Sequence, residues 1–387
     1  MKKRVAVLGA TCSIGKSALD VLRGGRDLFE PVLLTANRRC GELSALKKEF
    51  PGVLTALAHN ASGPGADYSG EDGLLRAIAD AAPDITINGI SGAAGLLPSE
   101  AAINAGSDLA LANKETVVMA GSLIFELAAK KRVRILPVDS EHMAIKKLLE
   151  AHGLGNAEEI ILTASGGPFR EKRAEELESV KPEEALAHPT WNMGPKITID
   201  SATLANKGLE VIEAAAYFGF PAEKIKVVIH PQSVVHSMVR LRDGAVYAQM
   251  SKPDMRLVIH EALCWPDTEH SPFGVLDFDS LCLDFEKCDF SRFPMLALAF
   301  KALEGGQFHC VAYNAANEAA VAAFLEGRAG FLEIPRIVEY VFGRGFAGKI
   351  PDRPPGTIGE ILAQDKLARE MAEEYISGKS NNGSLQC

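Results

Sequence analysis

No stretch of the chain approaches the roughly 18–20 uninterrupted apolar residues that cross a bilayer, so no membrane-spanning helix is expected. Basic residues are not in excess either. Forty-one Lys and Arg face 50 Asp and Glu, for a formal net charge of −9, which weighs against non-specific binding to nucleic acid or anionic membrane. Any anionic ligand must then be held by a local basic site. The seven cysteines (12, 40, 264, 282, 288, 310 and 387) are odd in number, scattered, and without Cys-x-x-Cys spacing. That pattern fits reduced thiols rather than a disulfide or zinc framework. The start, MKKRVAVLGATCSIG, is basic then apolar, but only about four residues separate Arg4 from Gly9, short of the ~7–15 of a secretory signal. It reads as a first strand, and a cytoplasmic location is expected. No internal repeat is visible.

What is present is a chain of 387 residues, 47% of them hydrophobic, long enough for two or three domains with real cores. Short apolar strands are expected at residues 4–8, 31–35, 53–56, 84–87, 109–111 and 133–138, alternating with amphipathic runs at 40–50, 73–82 and 116–130. Such alternation predicts a parallel sheet with helices on both faces. Residues 59–73 read as a loop. After Asp139 the pattern changes to strands at 159–163, 196–201, 225–230 and 245–249 mixed with helices, an α+β domain. Residues 266–294 read as a linker, 295–378 as a helical domain, and 379–387 as a disordered tail.

The first turn, Gly9 to Gly15, brings backbone amides and a helix N-terminus to where a pyrophosphate would lie. Its spacing is not Gly-x-Gly-x-x-Gly, and a tight turn without a ligand remains the alternative. At the end of the second strand an NAD site would carry an acid. Here the sequence is LLTANRRC, with Asn37, Arg38 and Arg39. Basic groups there suit a 2′-phosphate and hence NADPH; the alternative is a solvated loop.

Asp139-Ser140-Glu141 ends an apolar run with two acids one residue apart. On a strand they would point the same way, roughly 6.5–7 Å apart, and would repel unless a cation lay between them. All-oxygen ligands select Mg²⁺ or Mn²⁺ over zinc. Alternatively Asp139 or Ser140 caps the following helix. In DSATLANKGLEVIEAA, a helix from about Thr203 aligns Asn206, Lys207 and Glu210 on one face. Glu210 reads there as a third oxygen ligand, with a plain surface ion pair to Lys207 as the bland alternative. Ser165 before Gly166-Gly167 suits an anion, and Asn113-Lys114-Glu115 follows a strand's C-terminal end, where α/β sheets bind ligands. Residues 187–196 hold His188 and then Trp191 between the hinges Pro189 and Gly194, which suits a closing lid, or Trp191 is ordinary packing.

Taken together, LGATCSIGKSALDV, NGISGAAGL, LANKET, PVDSEH, LTASGGPFR, HPTWNMGPKITIDSATLANKGLEVIEA, HPQSVVHSMV, PDMR and NAANEAAVAAFL resemble the 1-deoxy-D-xylulose 5-phosphate reductoisomerase family over essentially the whole chain. The resemblance implies a Rossmann-like NADPH domain (1–138), a central α+β catalytic domain (139–265) with a flap near 187–196, a linker, a C-terminal helical bundle and a homodimer. It implies metal ligands Asp139, Glu141 and Glu210, with Lys114 and Ser140 at the substrate's carbonyl–hydroxyl end. Ser165, His188, Ser201, Asn206 and Lys207 would form the substrate and phosphate pocket, Trp191 would cover it, and His236 would lie near it. Thr11, Cys12, Ser13, Ile14, Ala36, Asn37, Arg38, Asn113, Glu115 and Gly194 would contact the cofactor. The implied reaction converts 1-deoxy-D-xylulose 5-phosphate to 2-C-methyl-D-erythritol 4-phosphate by rearrangement, drawn as retro-aldol then aldol, and NADPH reduction.

The family usually has glycine at position 12. If that position needs positive φ, Cys12 is strained by about 1–2 kcal/mol, and Cys12→Gly is expected to tighten NADPH binding. Ala36 stands where glycine is also common. The rival readings are a ketol-acid reductoisomerase-like enzyme on an unphosphorylated acid, and an NADPH sensor without chemistry. Ser165, Ser201, Asn206 and Lys207 speak against the first, and the three carboxylates with Lys114 against the second.

Overall fold

A computed structural model describes residues 1–59, 66–191, 193–273, 276–345, 351 and 353–383. The chain forms two compact units. The first comprises Met1–Thr116, Ile124–Met143 and Ser251–Asp277; the second comprises Val117–Leu123, Ala144–Met250 and Phe278–Cys387.

The first unit is the expected doubly wound fold. In chain order it runs β1 (Lys3–Leu8), α1 (Ser13–Gly24), β2 (Phe29–Ala36), α2 (Cys40–Glu49), β3 (Leu54–Leu57), β4 (Tyr68–Ser69), α3 (Glu71–Ala81), β5 (Ile85–Asn88), α4 (Leu96–Asn104) and β6 (Asp108–Leu111). Then follow α5 (Lys114–Lys131), β7 (Ile135–Pro137) and the start of α6 (Ser140–His152). The seven strands pair in the order β4-β3-β2-β1-β5-β6-β7, all parallel. Val5, Ala6, Val7 and Leu8 are all fully buried, as a strand covered on both faces requires; hence its unbroken apolar run. The order reverses at β1, so a crevice opens beyond the carboxyl ends of β1 and β5. Gly9 and Gly89 lie there.

The second unit holds β8 (Ala157–Ala164), α7 (Pro182–Ala185), α8 (Pro195–Thr203), α9 (Ala205–Phe218), β9 (Ile225–Ile229), β10 (Val235–Leu241) and β11 (Val246–Met250). After α10 (Met255–Cys264), which belongs to the first unit, come β12 (Glu286–Lys287), α11 (Pro294–Gly305), α12 (Gln307–Leu325), α13 (Glu333–Tyr340) and α14 (Ile358–Gly383). A mixed five-stranded sheet, β11-β10-β8-β9-β12, packs with these helices into one core. Buried α12 is its axis: Val311, Ala315, Ala316, Ala320 and Phe324 are inaccessible on successive faces, and a helix apolar on most sides belongs inside.

Several expectations are corrected. Residues 196–201, read as a strand from the β-branched Ile197-Thr198-Ile199, form the body of α8. Pro195 at the first helical position fixes φ for a helix start, and packing overrides the weak β preference. Strand β10 was not expected. Residues 251–277 fold with the first unit: Val258, Ile259, Ala262 and Leu263 of α10 share its core, and the Arg134 guanidinium sits 4.8 Å over the Trp265 ring. The boundaries at 138/139, 265/266 and 294/295 therefore do not coincide with the compact units, and the C-terminal helices share a core with the second sheet. The expected loop at 59–73 contains β4 and the start of α3, while 60–65 lie outside the described residues. Helix α14 continues to Gly383, through part of the expected tail, because each added residue gains one backbone bond; residues 384–387 lie outside those described.

Candidate active site

The first unit carries the glycine turn. Gly9 has φ +81°, a conformation that favours glycine, and a Cβ on Gly15 would sit 2.2 Å from the Gly9 carbonyl oxygen. The helix can approach the strand end this closely because position 15 has no side chain. Cys12 is the N-cap of α1 with φ −86°, an extended conformation open to any residue, so the strain expected at this position is absent. Burial pushes the Cys12 thiol pKa up, overcoming backbone donors and Arg39, which lower it. The protonated sulfur donates to Gly89 O at 3.2 Å and accepts from Gly15 N at 3.4 Å. Thr11 is buried, Ser13 opens the helix, and Ile14 is half-buried.

Ala36 ends β2, and Asn37 and Arg38 follow it, both exposed. Arg39 reaches back to the turn, donating to Thr11 O at 3.2 Å and pairing with Glu42 at 3.3 Å. Among the described residues Arg38 makes no ion pair, so its charge faces solvent.

Asn113 caps α5. Its Oδ1 accepts from the Thr116 amide at 2.9 Å and hydroxyl at 2.6 Å, while Nδ2 donates to Ile90 O, Gly92 O and Glu115 Oε2 at 2.7–2.9 Å. This side chain holds the NGISGAAGL loop, and its hydrogen-bonding capacity is spent on that task. Glu115 is buried beside it.

Lys114, next on α5, forms an ion pair with Asp139 with both side chains largely buried. Asp139 and Glu141 do not sit on a strand: β7 ends at Pro137 and α6 begins at Ser140. Asp139 Oδ1 accepts from the amides of Glu141 (3.1 Å) and His142 (3.0 Å), so it caps α6 and Glu141 lies in its first turn. The sequence left a helix cap and a metal ligand as alternatives for Asp139; the structure shows the cap, and the cap leaves the two carboxylates with oxygens within 4.8 Å of each other. Burial works to raise the Asp139 pKa, but Lys114 and His142 outweigh it and hold the group well below the usual carboxylate range. His142, with Nδ1 at 2.9 Å from Asp139 Oδ1, was missed in the sequence. Its spacing of three from Asp139 at a helix start was the available signal. Ser140 Oγ donates to Glu141 Oε2.

The second unit carries the other polar cluster. Gly166 (φ +85°) and Gly167 (φ +67°) turn the chain after β8, and a Cβ on Gly167 would lie 2.7 Å from Ser201 O. The Ser165 loop is thereby pressed onto α8. His188 Nδ1 accepts from the amides of Thr190 (3.1 Å) and Trp191 (2.9 Å), so its ring proton sits on Nε2, 3.1 Å from Ser165 Oγ. Burial lowers the His188 pKa and keeps the ring neutral. Ser165 Oγ accepts from His188 and from Gly167 N at 3.3 Å, which frees its proton for an anion. Trp191 is half-buried, Asn192 lies outside the described residues, and Gly194 caps α8.

Helices α8 and α9 meet at Leu204, a non-glycine residue at φ +60°, a conformation costing roughly 1–2 kcal/mol. The corner sets Ser201 on α8 beside the first turn of α9. There Asn206 Nδ2 donates to Glu210 Oε1 at 2.6 Å, and Lys207 pairs with Glu210 Oε2. Lys207 and Glu210 are buried, so this is no surface pair; breaking such a pair costs on the order of 3–5 kcal/mol. His236 is buried on β10, its carbonyl accepting from Thr163 Oγ1 at 2.8 Å.

Models of this family match three segments: "1-deoxy-D-xylulose 5-phosphate reductoisomerase" over 5–121, its C-terminal domain over 135–218, and "DXP reductoisomerase C-terminal domain" over 250–371. The enzyme of that name from Prosthecochloris aestuarii is 48% identical over 382 residues, 96% of this chain and 98% of its own. That from Chlorobaculum tepidum is 47% identical, covering 97% and 100%. Among solved structures, the Zymomonas mobilis enzyme in complex with NADPH superposes with a TM-score of 0.87 at 39% identity, covering 97% of this chain and 99% of its own. A DOX-P reductoisomerase in complex with NADPH, fosmidomycin and magnesium gives 0.90 at 37% identity, covering 97% and 98%. With this likeness along nearly its whole length, the chain belongs to the 1-deoxy-D-xylulose 5-phosphate reductoisomerase family.

Proposed function

We propose that the chain converts 1-deoxy-D-xylulose 5-phosphate to 2-C-methyl-D-erythritol 4-phosphate, using NADPH and a divalent cation, in isoprenoid precursor synthesis. The observation that carries the reading is the pair of acids at the start of α6: Asp139 is held ionised beside Lys114, and Glu141 offers an oxygen within 4.8 Å of it. Asp139, Glu141 and Glu210 are the ligands in this reading, an all-oxygen set that fits Mg²⁺ and equally Mn²⁺. When bound, the metal supplies Lewis-acid polarisation of the substrate's ketone oxygen and neighbouring hydroxyl, and NADPH supplies the hydride.

The chain's own residues do the rest. The Lys114 ammonium adds fixed positive charge where oxygen charge develops, and Ser140 contributes a hydroxyl. In the second unit Ser165, Ser201, Asn206 and Lys207 take the phosphate. His188, neutral with its proton on Nε2, donates it to Ser165 and so turns the Ser165 hydroxyl proton toward the substrate. This remote binding holds the reacting carbons in register. Trp191 covers the substrate and excludes water, with His236 beside it. In the first unit the turn formed by Thr11, Cys12, Ser13 and Ile14 takes the pyrophosphate, Ala36, Asn37 and Arg38 the 2′-phosphate end, and Glu115 a further cofactor group; Gly194, in the second unit, is a cofactor contact in the same reading. Asn113 is a cofactor contact in the same reading, and it holds the loop at Ile90 and Gly92 while capping α5. A cytoplasmic homodimer is part of the same reading. Among the described residues no helix is long and apolar enough to cross a membrane.

The test is NADPH oxidation followed by absorbance with the phosphorylated substrate, with and without Mg²⁺ or Mn²⁺. Metal-dependent turnover is expected; NADPH binding without turnover would sink the assignment.

A further inference from the structure

Two side chains one turn apart on α12 meet both helices that form the Leu204 corner. Asn317 is fully buried and donates from Nδ2 to Asp200 Oδ1 at 2.8 Å. Asp200, 1% exposed on α8, immediately precedes Ser201, and its other oxygen lies 2.8 Å from Lys196 Nζ. Tyr313, also fully buried, donates its hydroxyl to Met295 O at 3.1 Å. That same hydroxyl lies 2.6 Å from where a Cβ on Gly208 would stand. Gly208 sits on α9 between Lys207 and Glu210, so α12 touches α8 through Asn317 and α9 through Tyr313, on either side of the left-handed joint.

The chemistry of the contact is unusual for a core. Burying an amide against a carboxylate gains little stability over packed apolar groups, and among the described residues Asn317 Oδ1 has no hydrogen-bond partner. An aliphatic pair would serve cohesion better. What an amide–carboxylate pair adds is direction: it fixes the rotation of α8 about its axis, and with it where Ser201 points. The close fit of Tyr313 over Gly208 fixes α9 in the same way.

We propose that Asn317 and Tyr313 are positioning residues: through Asp200 and Gly208 they set the angle of the α8–α9 corner, and so the spacing of Ser201 from Asn206 and Lys207, to match a phosphate group. The proposal rests on the phosphate pocket of the proposed function. None of these four residues needs to touch the substrate.

The test compares Asn317→Asp, Asp200→Asn and the exchange variant carrying both. The first sets two carboxylates against each other; the exchange restores an amide–carboxylate pair with the roles reversed. KM and kcat for the phosphorylated substrate, the inhibition constant of inorganic phosphate, the NADPH dissociation constant and Tm are measured for each. Asn317→Asp is expected to raise KM and the phosphate inhibition constant together, roughly ten- to hundredfold, with NADPH affinity unchanged. The exchange is expected to return both to within about threefold of the parent. A fall in Tm with KM and phosphate inhibition unmoved would overturn the proposal and leave a purely structural contact. So would an exchange variant no better than the worse single one. Should Asn317→Asp not fold, Asp200→Asn against the exchange decides the same question. If the parent enzyme itself is neither active on the substrate nor inhibited by phosphate, it is the functional reading that fails, not the clamp alone.

Discussion

Replacing Cys12 by glycine separates two accounts of the cofactor turn. On the sequence alone the cysteine reads as a strained substitution, and glycine should tighten NADPH binding. The structure reverses the expectation. At φ −86° the residue is unstrained, and its thiol bridges the turn by donating to Gly89 O and accepting from Gly15 N. Glycine would lose the hydrogen bond to Gly89, about 0.5–1.5 kcal/mol, and the weak helix cap, a few tenths. It would also gain backbone freedom in the unfolded chain, roughly 0.5–1 kcal/mol. The sum is a loss of about 1–3 kcal/mol. Urea unfolding of the parent and the variant should show a lower midpoint with an unchanged slope, and calorimetric titration an equal or weaker NADPH affinity. Cys12→Ser keeps an oxygen cap in place and should hold stability within about 1 kcal/mol of the parent. A glycine variant that is more stable, or binds NADPH more tightly, would refute this reading of the turn.

Asp139→Asn should abolish metal-dependent turnover and weaken Mg²⁺ binding by titration, while leaving Lys114 buried without its carboxylate; a variant retaining more than about a tenth of parental kcat/KM would contradict the metal assignment. Gly167→Ala forces a Cβ toward Ser201 O at a residue with φ +67°, so destabilisation of about 1–3 kcal/mol and a raised KM for the phosphorylated substrate are expected from the same preparation. His188 is held neutral by burial, with a folded pKa below the ordinary 6.5. Its contribution to stability is fully present above about 6.5 and is lost as pH falls through the lowered value, since the unfolded chain then binds the extra proton. Urea midpoints across pH 5 to 8 should therefore fall less steeply on the acid side for His188→Gln than for the parent.

The parallel sheet was legible because its cause is local: strands buried on both faces must be apolar throughout, and the helices between them must be apolar on one side. Residue types alone also picked out the Asn206-Lys207-Glu210 face, since spacings of three and four on a helix bring side chains together whatever surrounds them; the acid pair stood out as two carboxylates two apart, and Lys114 by its place after a strand's carboxyl end. Other features needed the folded chain. Ile197-Thr198-Ile199 has the composition of a strand and becomes helix α8 because its buried face packs in the second unit. Whether Asp139 caps a helix could not be decided from three letters; the backbone shows that it does, and that capping still leaves its carboxylate close to that of Glu141. The conformation at Cys12 is set by how closely α1 approaches β1, which Gly15 permits but does not announce. The partnership of Asp200 with Asn317 spans more than a hundred residues of chain. Local periodicity is a property of neighbours in sequence; contacts of that kind are decided only when distant segments compete for the same core.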